Sequence, residues 1–353
     1  MKKSEIILVV ISLLVTIAAG FLTYMKATVI LTFIISAAAL ALMARIVGGA
    51  TEQLGGHFGP GATGILQSAL GNLPELFIGI FALKAGLDKV VQAALVGSIL
   101  GNSLLVLGLA IFIGGLKNGT QRFVSEPPKM IATLMILAFA GLAIPTLTNM
   151  FHTPGATHIN QMDIFLAIVL LVIFIASVLF SLKGDSSLVP SKSADTTSEK
   201  VWPLITTIIV LGGAGVASAF VSDWFVDALK PAMKVLDIND TFAGLVIVAI
   251  AGNAIENVVG IQLAYKNQSD YSMSVIMNSS LQVALGLFPL LVLLSFFLGG
   301  SILSFVLTPM LLVSMALAVI VSAFIVFDGK TIWLEGLALI GLYLLIAVAF
   351  WWG

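Results

Sequence analysis

Residues 71–75 read Gly71-Asn72-Leu73-Pro74-Glu75, and residues 252–256 read Gly252-Asn253-Ala254-Ile255-Glu256. The two stretches lie 181 residues apart, and residues 60–108 can be laid on 241–289 at that offset without a gap. Outside the motif, Gly79-Ile80 falls on Gly260-Ile261, Ser98 on Ser279 and Leu100 on Leu281. Identities among Leu and Ile say little in apolar sequence. A duplicated Gly-Asn-x-x-Glu inside two apolar runs says more, because each run carries one carboxylate where nothing else is charged.

Working outward, the surroundings explain why those two carboxylates stand out. The chain has 353 residues, of which 59% are apolar and 9% charged. Soluble domains carry about 25% charged residues, and a water-exposed surface cannot be made from what remains here. A soluble enzyme and a nucleic-acid binder are excluded on this ground, and a net charge of −1 offers nothing to a polyanion. With no Cys there is no thiolate chemistry. No P-loop, dinucleotide-binding Gly pattern or His-Glu-x-x-His occurs. The expectation is an all-α polytopic membrane protein that is no enzyme and needs no cofactor.

About 20 apolar residues cross the hydrocarbon core. Eleven runs qualify: 4–24, 27–47, 61–84, 89–114, 127–148, 162–182, 201–222, 241–265, 270–298, 302–327 and 331–352. The first follows Lys2 and Lys3 and continues through Phe21 and Leu22, longer than a signal-peptide core, so it is read as a retained helix. Placing the N-terminus in the cytoplasm puts 11 of the 16 Lys and Arg residues on the cytoplasmic side and 5 outside. The positive-inside rule therefore predicts a cell-membrane protein with its N-terminus in and its C-terminus out. The hydrophilic stretch 183–200 becomes a cytoplasmic loop. It divides the chain into a leading helix (1–26), a first five-helix unit (27–182) and a second (201–353).

The motifs fall on spans three and eight, five crossings apart, so they enter the membrane from opposite sides. Inverted repeats with their key residues near the midplane are the architecture of secondary transporters. A charge at a helix centre costs roughly 2.5–3.5 kcal/mol, and no basic residue lies at similar depth to pair with Glu75 or Glu256. The other acidic residues are read as lying at span ends and in loops. Two such carboxylates persist if they bind a cation or take up protons, and oxygen donors suit Ca²⁺. Ser68, Asn72, Glu75 and Gly79 share one helical face, as do Asn253, Glu256 and Gly260. Pro74 is expected to break the helix and free the carbonyl of Leu70. Gly97-Ser98 and Asn102-Ser103 on span four, with Asn278-Ser279-Ser280 and Gln282 on span nine, add a second polar layer. Glu52 and Asp223 lie near the ends of spans two and seven. His57, His152 and His158 fall in expected loops. Asp227, Lys230, Lys234, Asp237 and Asp240 read as a polar helical extension after span seven.

At this point the residues resemble a known family. The two Gly-Asn-x-x-Glu stretches look like the paired alpha-repeat motifs of CAX-type cation/proton exchangers, a branch of the calcium/cation antiporters. Ala50-Thr51-Glu52-Gln53-Leu54, Gly97-Ser98 and Ser279-Ser280-Leu281-Gln282-Val283 are similar to further parts of the pattern. The resemblance covers the whole chain. It implies Ca²⁺/H⁺ antiport, with Glu75 and Glu256 as the central acidic pair. Backbone oxygens at Gly71 and Gly252 would assist, with Asn72, Asn253, Ser98, Ser279 and Gln282 around them and Glu52 and Asp223 as acidic residues at the gates. Asn257 stands where many members have His. The loop 183–200 holds only Asp185, Asp195 and Glu199 against three Lys, unlike the strongly acidic loop of many eukaryotic members.

The mechanism this suggests is competition: Ca²⁺ holds both carboxylates ionised, protons displace it, and the neutral site reorients by alternating access. A Na⁺- or K⁺-coupled Ca²⁺ exchanger is the nearest rival, and a cation channel the rival from another class. A homo-oligomer and a monomer both fit the sequence.

Overall fold

In hydrocarbon, a backbone must satisfy its own N–H and C=O groups, and an apolar run does so as a helix. The computed structural model, which describes residues 3–58, 66, 70–183 and 201–352, bears this out. Helix α1 (Lys3–Tyr24) is followed by α2 (Val29–Phe58), α3 (Leu73–Lys84), α4 (Asp88–Asn118), α5 (Glu126–Met150) and α6 (Ile159–Lys183). After the loop come α7 (Leu204–Leu236), α8 (Asp240–Tyr265), α9 (Ser269–Ser295), α10 (Pro309–Val326) and α11 (Trp333–Trp352). Among the described residues nine helices are long and apolar enough to cross a membrane, and α8, bent by 63° between Asn253 and Val258, makes up to ten. The described part of α3 has 12 residues; the first half of the expected run 61–84 lies largely outside the described residues, Ser68 with it.

Two groups of helices differ in what they bury. Windows along α4 and α9 are 72% and 78% buried, against 17% for α1 and α6. The pair α4 and α9 therefore forms the interior, with α3 and α8 beside it. Small residues bring the backbones together. A Cβ on Gly97 would strike the backbone of Leu245, and one on Gly244 the backbone of Val90, so α4 and α8 cross with main chains in touch. Helices α2 and α7, of 30 and 33 residues, make the most extensive helix pair, and α1 packs on both.

The structure corrects several expectations. Helix α2 continues to Phe58, so His57 is in its last turn and its Nε2 meets the Trp202 carbonyl at 2.8 Å. The expected helical extension after span seven is present through Asp227, Lys230 and Lys234 to Leu236, but Asp237 ends it in the left-handed conformation, φ 54°, and Asp240 opens α8 instead. Residues 302–308, expected in span ten, are not helical. They belong to a buried extended segment in which Leu303 and Phe305 are fully covered. Its backbone groups are met by side chains: Gln92 Nε2 donates to the Ser304 and Val306 carbonyls (2.7 and 3.1 Å), and Thr146 Oγ1 to that of Phe305 (3.0 Å). Ser301 N donates to the Leu83 carbonyl. Asp163 Oδ1 accepts from Phe305 N at 3.4 Å, and Asp163 is fully buried. This is a further buried acidic residue, at a span end where sequence reading expects solvent. A two-stranded ribbon, Gln121–Arg122 against Lys330–Thr331, also escaped the reading and joins the loops before α5 and α11.

Candidate ion-binding site

Helix α3 begins inside the first motif. Gly71 and Asn72 form a turn, Leu73 opens the helix, and Pro74 sits in its first turn. A Pro there lacks only an N–H that no carbonyl needs, and its fixed φ suits a helix start. Pro74 thus starts a helix rather than kinking one. Asn72 consequently lies before the helix and does not share a helical face with Glu75. Glu75 falls in the first turn, where unpaired N–H groups and the helix dipole favour a negative charge.

The second motif is brought against it. A Cβ added to Gly252 would lie 3.0 Å from both Cγ and Oε1 of Glu75, so the carboxylate is packed tightly against this glycine. Ser98 Oγ, on α4, donates to Glu75 Oε1 at 3.4 Å and accepts from Asn253 Nδ2 at 2.8 Å. The chain Asn253–Ser98–Glu75 therefore crosses three helices, α8, α4 and α3. Asn253 and Ser98 are buried. The Asn253 amide also donates to the Ala249 carbonyl at 3.0 Å.

The rest of the expected set divides. Asn72 Nδ2 donates to Gln282 Oε1 at 3.2 Å, tying α3 to α9. Asn102 Nδ2 donates to Ser279 Oγ at 2.8 Å, and the Ser103 and Ser280 hydroxyls meet at 3.1 Å, tying α4 to α9. Glu75, Gly252, Ser98 and Asn253 are thus one cluster, while Ser279 and Gln282 hold α9 to its neighbours. Gly71 lies half-buried in the turn. The side chains of Glu256 and Asn257 lie outside the described residues, as do Asp185, Asp195 and Glu199. Glu52 is exposed on α2. Asp223 is half-buried on α7, with Asp227 and Lys84 as its charged neighbours. Next to it Ser222, which sequence reading passed over, is fully buried and donates to the Pro74 carbonyl at 3.5 Å.

A cavity with about 30 Å³ of free space opens onto Glu75 and Ser98. Its other walls, among them Ile78, Ala82, Val91, Leu229 and Leu291, are apolar, and it extends toward the connection between α3 and α4. Both π-helical turns in the central pair sit at one register: Gly101–Val106 in α4 and Val283–Leu287 in α9. Such turns are frequent at functional sites. A third, Ala243–Val248, precedes the second motif in α8. Among the described residues no three His, Cys, Asp or Glu side chains cluster, so the donors here are one described carboxylate with hydroxyl and amide groups.

The sequence matches the model of the sodium/calcium exchanger proteins over residues 28–183 and 206–352. The chain belongs to that family. Among relatives, the Ca²⁺/H⁺ antiporter of Synechocystis sp. is 33% identical over 99% of this chain and 97% of its own. The Ca²⁺/H⁺ antiporter ChaA of Bacillus subtilis is 34% identical over 90% of this chain and 91% of its own. The solved structure of native YfkE superposes with a TM-score of 0.83 at 30% identity, covering 98% of this chain and all of that one. The family membership and the predominantly helical, multi-pass fold make this chain a membrane transporter.

Proposed function

We propose that the protein exchanges Ca²⁺ for protons across the cell membrane by alternating access. One observation carries the reading: Glu75 of the first motif is seated against Gly252 of the second and joined through Ser98 to Asn253. Two distant stretches of like sequence thus converge on one carboxylate. The relatives described as Ca²⁺/H⁺ antiporters, matched over nearly the full chain, support the choice of ions.

In this reading Glu75 and Glu256 bind Ca²⁺ or protons in turn. Hard oxygen donors from carboxylates, backbone and amides suit Ca²⁺, which tolerates irregular coordination. Residues 27–182 and 201–353 are the two inverted repeats, with the N-terminus cytoplasmic and the C-terminus outside. Helices α2 and α7, bearing Glu52 and Asp223, act as the gates. The apolar walls toward the α3–α4 connection keep the site from flooding while the carboxylate is occupied.

The test is Ca²⁺ uptake into everted vesicles driven by an imposed pH gradient, with Na⁺ and K⁺ held constant. Uptake that collapses with the proton gradient, and is lost in Glu75→Gln and Glu256→Gln, is the expected result. Uptake that follows Na⁺ or K⁺ instead would assign the coupling to those ions. Flux indifferent to the opposite side's pH would make the protein a channel.

A further inference from the structure

Four Tyr residues occur in the chain. Tyr24 closes α1, Tyr265 closes α8 and Tyr271 opens α9. These are the interfacial positions where an aromatic ring with a polar tip belongs. Tyr343 is different. It lies midway along α11, is 3% exposed, and its hydroxyl has no hydrogen-bond partner among the described residues. A buried hydroxyl without a partner costs free energy that a Phe would not.

A second unmet atom lies nearby. Asn253 donates through Nδ2 to both Ser98 Oγ and the Ala249 carbonyl, and its Oδ1 has no partner. The amide cannot be turned over, because the Ala249 carbonyl can only accept. Tyr343 and Asn253 line one cavity, between α4, α8 and α11, together with Ser98, Gly101 and Asn102. Its free space, about 10 Å³, is close to what one water needs. Cavities that stay dry are apolar, whereas buried waters bridge polar groups that are otherwise unmet.

We propose that α11 takes part in the ion site through a single bound water, bridging Tyr343 Oη and Asn253 Oδ1. The water fixes Asn253 with its amide toward Ser98, and so keeps the Ser98 hydroxyl directed at Glu75. Tyr343 is a positioning residue, acting on the carboxylate through the water, Asn253 and Ser98. This inference rests on the exchange reading for its transport consequences, but not for the water itself.

Two variants reach the water from opposite sides. Tyr343→Phe removes one of its partners. Gly101→Ala takes its space, since a Cβ at Gly101 meets no atom within 4 Å. Each single variant is expected to raise the KM for Ca²⁺ about threefold to tenfold, the worth of one hydrogen bond, with the maximal rate nearly unchanged. The double variant should raise it no further than the larger single one, because both lose the same water. An unchanged KM in both variants, with wild-type exchange intact, overturns the inference and leaves the exchange reading standing. Absence of pH-driven uptake by the wild type overturns the exchange reading, and the unfolding midpoints of the purified variants then decide the water alone. Non-additive midpoints support it. Additive midpoints, with Tyr343→Phe neutral or stabilising, mean a dry cavity and refute it.

Discussion

The two motif-bearing segments share Gly-Asn-x-x-Glu and use it differently. In the first, the helical Leu70 gives way to a turn at Gly71 and Asn72, and Pro74 sits in the first turn of α3. In the second, the chain stays helical through the motif after a π-helical turn at Ala243–Val248, and bends by 63° just after Asn253. Each Asn nevertheless reaches across the hydrophilic loop to the other part of the chain, Asn72 to Gln282 and Asn253 to Ser98. The partners are not equivalent: Gln282 falls on Gly101 at the repeat offset, while Ser98 falls on Ser279. The second motif's Asn reaches Glu75 through Ser98, whereas the first motif's Asn meets Gln282 on α9.

That contrast can be broken experimentally. The largest effect is expected at the carboxylate: Glu75→Gln should cut pH-driven Ca²⁺ uptake by about 100-fold or more, the upper end of what metal-site substitutions cost, with expression retained on a membrane blot. Next come the two Asn residues. Asn253→Ala removes two hydrogen bonds and frees Ser98, and should raise the KM for Ca²⁺ about 10- to 100-fold, against about threefold for Asn72→Ala, which removes one. Equal effects would mean that the motifs are functionally symmetric after all. Gly252→Ala places a methyl against Glu75. It should weaken Ca²⁺ competition in the same uptake assay about tenfold, as displacement of a metal-site group does. The smallest difference is in stability. Gly79 and Gly260 are register equivalents, but a Cβ would press on the flexible tip of Leu291 at the first and on the branched Ile276 at the second. Gly260→Ala should cost about 1–3 kcal/mol and Gly79→Ala less, read as detergent unfolding midpoints.

Much of the fold could be read from sequence because hydrocarbon leaves a segment few options. The ends of α5, α6 and α11 fall within a few residues of the expected runs. The reading failed where composition and conformation part company. Residues 302–308 are apolar enough to look like the head of a span, but they are held extended by Gln92, Thr146 and Asp163, which lie in distant parts of the chain. For the site, the duplicated motif pointed to Glu75, Gly252 and Asn253, and the register match pointed to Ser98. It could not reveal that Ser279 also accepts from Asn102, because a register carries no information on side-chain direction. Tyr343 was legible in principle, as the lone polar residue within the apolar run that closes α11.

The buried extended segment has a mechanical consequence. Its backbone is pinned to Leu83 of α3, Gln92 of α4, Thr146 of α5 and Asp163 of α6, four anchors within a few residues of chain. A peptide so tethered acts as a rivet through four helices. It stops α3 from sliding on α4 without breaking several bonds in a place where water cannot replace them. Among the described residues, helices α1, α2 and α7 make no hydrogen bond to this segment. The backbone that carries Glu75 is thus tied, through one short peptide, to helices from both sides of the hydrophilic loop.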